Sequence, residues 1–199
     1  MILNHLWGLY ADPEREWRLI ERNNESLVTS ISHILFIALI PCICSYIATV
    51  HIGWSIGNNE LLKLTPQSAL KIVMAMYVAL VAAVFALAYL TYWMATTFGA
   101  APRYSQALEL SVYSATPMFI LGFATLYPVL WLFMLASLGS IAYSVYLLYA
   151  GVPIIMNIPT ERGFIYASSI VTCALVLLVA ILTGSVILWS VGLEPQYLY

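Results

Sequence analysis

The sequence predicts an all-α, polytopic membrane protein with five transmembrane helices and short interfacial amphipathic helices at its N-terminus. Of its 199 residues, 63% are hydrophobic and only 8% are charged, whereas a soluble domain carries about 25% charged residues. The apolar residues also form stretches about as long as the 20 residues that one helical span requires. Because so few polar groups remain to cover a water-facing surface, we expect residues 1–199 to form a single membrane domain.

Residues 1–31 are predicted to form a cytoplasmic amphipathic segment. One helical face is shared by residues at positions i, i+3, i+4 and i+7, namely Leu3, Leu6, Trp7 and Tyr10. Asp12 and Pro13 then place a capping acid before a proline at the first position of a second short helix, which ends near Asn23. Two tryptophan-bearing helices of this kind either lie at the membrane–water interface or form a packed cap on the bundle.

The apolar stretches place the spans at about 32–52, 71–95, 106–125, 129–150 and 164–191. The first of them is too long for the apolar part of a signal peptide, and no small-residue cleavage site follows it, so we expect a retained span. From Gln106 to Ala150 the chain carries one charge, and this stretch is too long for a single span. Tyr127 and Pro128 therefore mark a tight turn between two antiparallel spans.

Small side chains on the second span predict a helix-packing face. They occur at helical spacing, at Ala75, Ala79, Ala82, Ala83 and Ala86. Small residues let two helix backbones approach closely in a membrane, so we expect these alanines to face another helix.

The distribution of basic residues predicts the orientation of the chain. With five spans, one side of the membrane receives Arg15, Arg18, Arg22, Arg103 and Arg162. The other side receives only Lys63 and Lys71. Because loops rich in Lys and Arg stay in the cytoplasm, the N-terminus is predicted to be cytoplasmic and the C-terminus to lie outside.

Glu109 is the single acid in the long apolar stretch, and a charge at the centre of a bilayer costs roughly 2.5–3.5 kcal/mol on insertion scales. Tyr113 and Thr116 follow it on one helical face, and Pro117 leaves the carbonyl of Tyr113 without its helical partner. This polar stripe is either a structural clamp, in which Glu109 bonds to Arg103, to Arg162 or to a tyrosine, or an ion or proton site.

No metal site, cofactor or enzyme motif is expected. His33 and His51 are separated by about 27 Å along one helix, and Cys42 and Cys44 point in different directions. His5 belongs to another element. The chain has neither a phosphate-binding glycine motif nor the signatures of zinc proteases or serine hydrolases. Without a run of Lys and Arg, nucleic acid is not an expected partner.

Three groups of motifs resemble a known family. They are W-G-L-Y-A-D-P-E-R-E-W at 7–17, Y-S-A-T-P at 113–117 with L-Y-P at 126–128, and L-L-Y-A-G-V-P-I-I-M-N-I-P at 147–159. Their order and content resemble the bacterial inner-membrane branch of the YIP family, the Ypt/Rab-interacting membrane proteins. The resemblance covers nearly the whole chain and implies five spans with a cytoplasmic N-terminus and a periplasmic C-terminus. Eukaryotic members bind Rab GTPases in vesicle traffic, a role that does not transfer to bacteria.

Two functional hypotheses follow from these observations. The first is a non-enzymatic multi-pass protein of the bacterial inner membrane that organises membrane or protein partners. Its expected partners are the lipid bilayer and either further copies of itself or other membrane proteins. The second is a small oligomeric transporter or channel that uses the polar stripe around Glu109, because proline-broken spans with an intramembrane acid are typical of transporters.

Overall fold

The computed structural model of the chain describes residues 2–23, 26–54 and 61–198, and most of them are helical. The helices are α1 (Ile2–Ala11), α2 (Pro13–Asn23), α3 (Leu27–Ile37), α4 (Leu39–Ile47), α5 (Pro66–Met94), α6 (Tyr104–Ile120), α7 (Leu130–Ile155) and α8 (Thr160–Leu188). Short 3₁₀ segments extend α5 through Ala95–Phe98 and α6 through Leu121–Leu126. Single π-helical turns follow α4 at Ala48–Ile52 and α8 at Trp189–Leu193.

Five helical segments of the described residues are long and apolar enough to cross a membrane, which confirms the predicted fold class. They are Leu27–Ile52, Pro66–Phe98, Tyr104–Leu126, Leu130–Ile155 and Thr160–Leu188. The first begins before residue 32 because the Ser26 hydroxyl caps it, accepting a hydrogen bond from the backbone N–H of Thr29 at 3.3 Å. The second begins before residue 71 because Thr65 and Pro66 supply a cap and a first-turn proline.

The first span is broken between α3 and α4 at Ala38, and Pro41 explains the break. Proline has no N–H to donate to the carbonyl of Ile37, so the regular helical ladder cannot continue through this point. The resulting bend brings Pro41 against Gly122, where an added Cβ would lie only 2.5 Å from the Cα of Pro41. A glycine is therefore required here for close approach of the two backbones.

Helix α6 lies at the centre of the bundle. It packs against α3, α4, α5 and α7, and every residue from position 107 to position 114 is buried. Helix α8 packs mainly on α5 and α7. The tight turn between α6 and α7 occurs at Tyr127 and Pro128, as predicted, and joins the two helices as an antiparallel hairpin.

The bundle has two ends, which we call basal and distal. The basal end contains the C-terminus of α2 and the α5–α6 and α7–α8 connections, whereas the distal end contains the α6–α7 turn. At the distal end β1 (Lys63–Leu64) pairs antiparallel with β2 (Tyr197–Leu198), and Lys63 Nζ donates to the carbonyl of His51 at 2.7 Å. The N-terminal helices and the C-terminal tail thus lie at opposite ends, as an odd number of spans requires.

The alanine face predicted for α5 is not its most buried face. Ala82 is exposed and the other four alanines are only partly buried. Apart from Ser68 and Ala69 in its first turn, the buried positions of α5 and its 3₁₀ extension are Val84, Ala88, Thr91 and Ala95, which share the opposite face. Helix α5 carries small residues on both faces, so residue size alone does not identify the one that meets α6 and α8.

Candidate functional site

The side chain of Trp17 is the point at which the N-terminal helices join the bundle. Trp17 and Ile20 lie on the apolar face of α2 and both are 0% exposed. The Trp17 indole packs against Tyr113 of α6 with ring centroids 6.3 Å apart and ring planes nearly perpendicular. The N-terminal segment is therefore packed on the bundle through this side chain.

Gly151 of α7 makes room for the indole. A Cβ at this position would lie 2.6 Å from Cε2 of Trp17 and 2.8 Å from a methyl carbon of Leu110. Both distances are shorter than carbon atoms tolerate without movement of a neighbour. The missing side chain of Gly151 therefore creates the gap into which Trp17 fits between α6 and α7.

Helix α1 adds a second attachment next to this one. The hydroxyl of Tyr143 donates to the carbonyl of Leu9 at 2.7 Å, and the rings of Tyr10 and Tyr143 are stacked with centroids 5.1 Å apart. Burial, with a smaller contribution from the Tyr143 hydroxyl, raises the pKa of Tyr10 above its ordinary value of 10.0. The corner between α1 and α2 is thus fixed against α7 at Tyr143.

Tyr113 connects this cap to α3. Its ring contacts His33 edge-on, with centroids 4.9 Å apart and an interplanar angle of 86°. Both side chains are 1% exposed, and Ser30, one turn before His33, is equally buried. His33 could not be associated with the polar stripe from the sequence, because only the packing of α3 on α6 brings these residues together.

Glu109 is 1% exposed and lies one turn before Tyr113 on α6. The polar stripe therefore points into the bundle. Thr116 is also buried, and its hydroxyl donates to the carbonyl of Val112 at 3.0 Å, while Pro117 is buried inside the same helix. The described part of the stripe consists of one carboxylate, one phenol and one hydroxyl, and His33 adds an imidazole at its edge.

The two arginines proposed as partners of Glu109 lie at the basal end, and both are exposed. Arg103 is the N-cap residue of α6, and its backbone N–H donates to Oε1 of Gln106 at 2.8 Å. The guanidinium of Arg162 lies over Gly99, since a Cβ there would be 2.9 Å from Nη1. The pairing of Glu109 with either arginine remains a prediction.

The connections at the basal end are held together by aromatic packing. Phe98 and Tyr166 are stacked with ring centroids 4.7 Å apart, and the Tyr166 hydroxyl donates to the carbonyl of Thr91. These contacts join the start of α8 to the end of α5 without any charged group. The sequence placed both connections on one side, and the structure adds the aromatic contact that joins them.

The remaining candidate ligands are spread along the first span. His33 is buried near its basal end, whereas His51 is exposed near its distal end. Cys42 and Cys44 are both buried in α4 between them. The side chain of His5 lies outside the described residues.

Replacing Gly151 by alanine should destabilise the protein, because the added methyl group collides with Trp17 and Leu110. The matched control is Gly139→Ala on the same helix, where no atom lies within 4 Å of an added Cβ. We expect Gly151→Ala to lower the free energy of unfolding by about 1–3 kcal/mol and Gly139→Ala to be neutral or slightly stabilising. Thermal unfolding in one detergent measures the stability of both variants. Equal unfolding temperatures of Gly151→Ala and Gly139→Ala would show that Trp17 does not fill the gap at Gly151.

Comparisons with known proteins identify the family. The Yip1 domain matches residues 7–181. The Escherichia coli K12 protein named inner membrane protein YohC is 35% identical over 191 residues, covering 96% of this chain and 98% of the relative. The protein of the same name from E. coli O6:H1 strain CFT073 matches with the same identity and coverage. No solved structure matches the chain. The chain therefore belongs to the Yip1 family of membrane proteins, as its motifs indicated.

Proposed function

We propose that this chain is a non-enzymatic protein of the bacterial inner membrane that organises lipid or protein partners on its outer surface. The observation that carries the proposal is the burial of α6, whose polar stripe is enclosed by the neighbouring helices. Glu109, Tyr113 and Thr116 are each 1% exposed. With its polar groups directed inward and surrounded, the molecule meets its partners through its outer helix faces. The inner-membrane location is inferred from the name of the E. coli relative.

The outer faces of α7 and α8 provide the surface for such partners. Their exposed apolar side chains include Trp131, Met134, Leu135 and Leu138 on α7 and Leu175, Val176, Val179, Leu182 and Val186 on α8. An added Cβ at Gly139 or Gly184 would meet no atom within 4 Å. The distal halves of α7 and α8 thus carry apolar surface that no described part of the chain covers. Lipid or another membrane helix covers this surface.

A small transporter or channel is the second candidate, and the burial of Glu109 supports it. Intramembrane acids often mark ion or proton pathways. The first span, which packs on α6, is broken at Ala38 near Pro41, and α6 itself contains Pro117. Broken helices are characteristic of transporter sites. Under this alternative, His33 and Tyr113 would line the same pathway.

The proposed orientation places the basal end in the cytoplasm. Arg15, Arg18 and Arg22 lie on α2, and Arg103 and Arg162 lie at the basal ends of α6 and α8. The distal end carries Lys63 and Lys71. The five-to-two excess of basic residues at the basal end supports a cytoplasmic N-terminus and a periplasmic C-terminus.

Cysteine labelling tests this orientation. In a variant without the three native cysteines, Leu126→Cys or Val129→Cys should react with a membrane-impermeant maleimide in intact spheroplasts. Thr160→Cys, in an exposed position at the basal end, should react only after the membrane is permeabilised. Labelling of Thr160→Cys in intact spheroplasts, with protection of the distal positions, would reverse the orientation.

Proton flux into proteoliposomes decides between the two functions. We expect vesicles that contain the purified protein or its Glu109→Gln variant to show no more proton flux than protein-free vesicles. The flux is measured with an enclosed pH-sensitive dye under an imposed membrane potential. If Glu109 is part of a structural clamp, Glu109→Gln should still lower the free energy of unfolding by about 1–3 kcal/mol, because a buried charged hydrogen bond is lost.

The matched control for stability is Glu161→Gln, which changes an exposed acid at the same end and should have little effect. Neutralising the partner arginine should reduce the effect of Glu109→Gln, which identifies Arg103 or Arg162 as that partner. A proton flux in the wild type that disappears in Glu109→Gln, with stability unchanged, would instead establish the transporter.

A further inference from the structure

Helix α2 presents a stripe of arginines away from the bundle. Its apolar face is occupied by Trp17 and Ile20, both fully buried. Arg15, Arg18 and Arg22 follow one another at i, i+3 and i+7 and are all exposed, so they share the opposite face. At 1.5 Å per residue this stripe is about 10 Å long. The packing of Trp17 thus fixes the direction in which the three guanidinium groups project.

Exposed aromatic residues indicate the level of the membrane–water interface at the basal end. Tyr89 and Trp93 of α5 are 59% and 66% exposed, and Tyr146 of α7 is 50% exposed. Tyrosine and tryptophan accumulate at the level of the lipid headgroups. On α5, Trp93 lies about 33 Å along the helix from the exposed Lys71, close to the thickness of the hydrocarbon core.

The arginine stripe lies at this same level. Tyr10 stacks on Tyr143, one turn from Tyr146, and Trp17 packs at Gly151, nearer the basal end. Helix α2 therefore extends from the aromatic belt towards the basal end, beside the headgroups of the surrounding lipid. This depth does not depend on which side of the membrane the basal end faces.

The surface around the stripe forms an open groove of about 460 Å³. Its lining residues are Asp12, Glu14, Arg15, Arg18, Leu19 and Arg22. Oδ1 of Asp12 accepts a hydrogen bond from the backbone N–H of Arg15 at 3.2 Å, so this acid caps the helix. The groove therefore sets three guanidinium groups against the two carboxylates of Asp12 and Glu14, an excess of one positive charge. Leu19 supplies an apolar patch that is 38% exposed.

We infer that this groove binds the headgroup phosphate of an anionic phospholipid such as phosphatidylglycerol. Guanidinium groups bind phosphate oxygens with paired, directional hydrogen bonds. The excess of positive charge in the groove favours an anionic over a zwitterionic lipid, and the depth of α2 places the groove where such phosphates occur. Leu19 contacts the apolar part of the same lipid. The inference goes beyond the proposed role of the outer helix faces and can fail independently of it.

Short-chain lipid binding to the full-length protein in detergent tests this inference. Dioctanoyl phosphatidylglycerol is titrated and the bound fraction is read by native mass spectrometry. Each basic residue near an anionic lipid surface strengthens binding about fivefold. We therefore expect Arg18→Gln to weaken binding about fivefold, and the variant with Arg15, Arg18 and Arg22 all changed to Gln to weaken it about 100-fold. The control Lys71→Gln, at the distal end, should bind as the wild type does.

Further arms of the experiment identify the source of the phosphate and the role of charge. Dioctanoyl phosphatidylcholine should bind at least tenfold more weakly than phosphatidylglycerol, and inorganic phosphate at the same concentration should not displace the lipid. Equal affinity for both lipids, displacement by phosphate, or unchanged affinity in Arg18→Gln would each overturn the inference. Thermal unfolding of every variant checks that it is folded, and Arg18→Gln provides the test if the triple variant is not.

Discussion

The indole of Trp17 lies in the gap that the missing side chain of Gly151 leaves between α6 and α7, and the basal half of the molecule depends on this contact. It attaches α2 to the bundle and brings an aromatic ring against Tyr113. Through Tyr113 the contact reaches His33 on α3, so four helices, α2, α3, α6 and α7, are joined at this point. The same contact orients the polar face of α2, because an apolar face that is fully buried leaves the arginines only one direction in which to project.

The central position of α6 sets the properties of the rest of the bundle. A helix enclosed by four others has no lipid contact over most of its length, so it can carry Glu109 and Thr116 within a membrane protein. Helices α7 and α8 can then expose apolar surface along their distal halves. The polar stripe is thus enclosed in a mainly apolar interior while the outer surface is apolar, and the proposed role of the outer helix faces rests on this arrangement.

The fold was predictable because bilayer thickness and composition determine the number of spans, and Tyr127 with Pro128 determines the hairpin between α6 and α7. The packing face of α5 was not predictable, since Ala82 and Ala88 have equal side chains and only the neighbouring helices make one exposed and the other buried. Glu109 was recognisable as the single acid in an apolar stretch. Its surroundings were not, because His33 and Gly151 are distant in sequence from Tyr113 and Trp17 and meet them only after the helices pack.

Hydrogen–deuterium exchange of the reconstituted wild type and of its Trp17→Ala variant tests this account most directly. It measures whether the packing of Trp17 between α6 and α7 stabilises the basal half of the molecule. Exchange should become faster for the amides of α2, the first half of α6 and the last three turns of α7, because their shared packing is lost. The distal half of α7 should exchange as in the wild type. Unchanged exchange in α2, or equal acceleration along all of α7, would contradict the central role assigned to this contact.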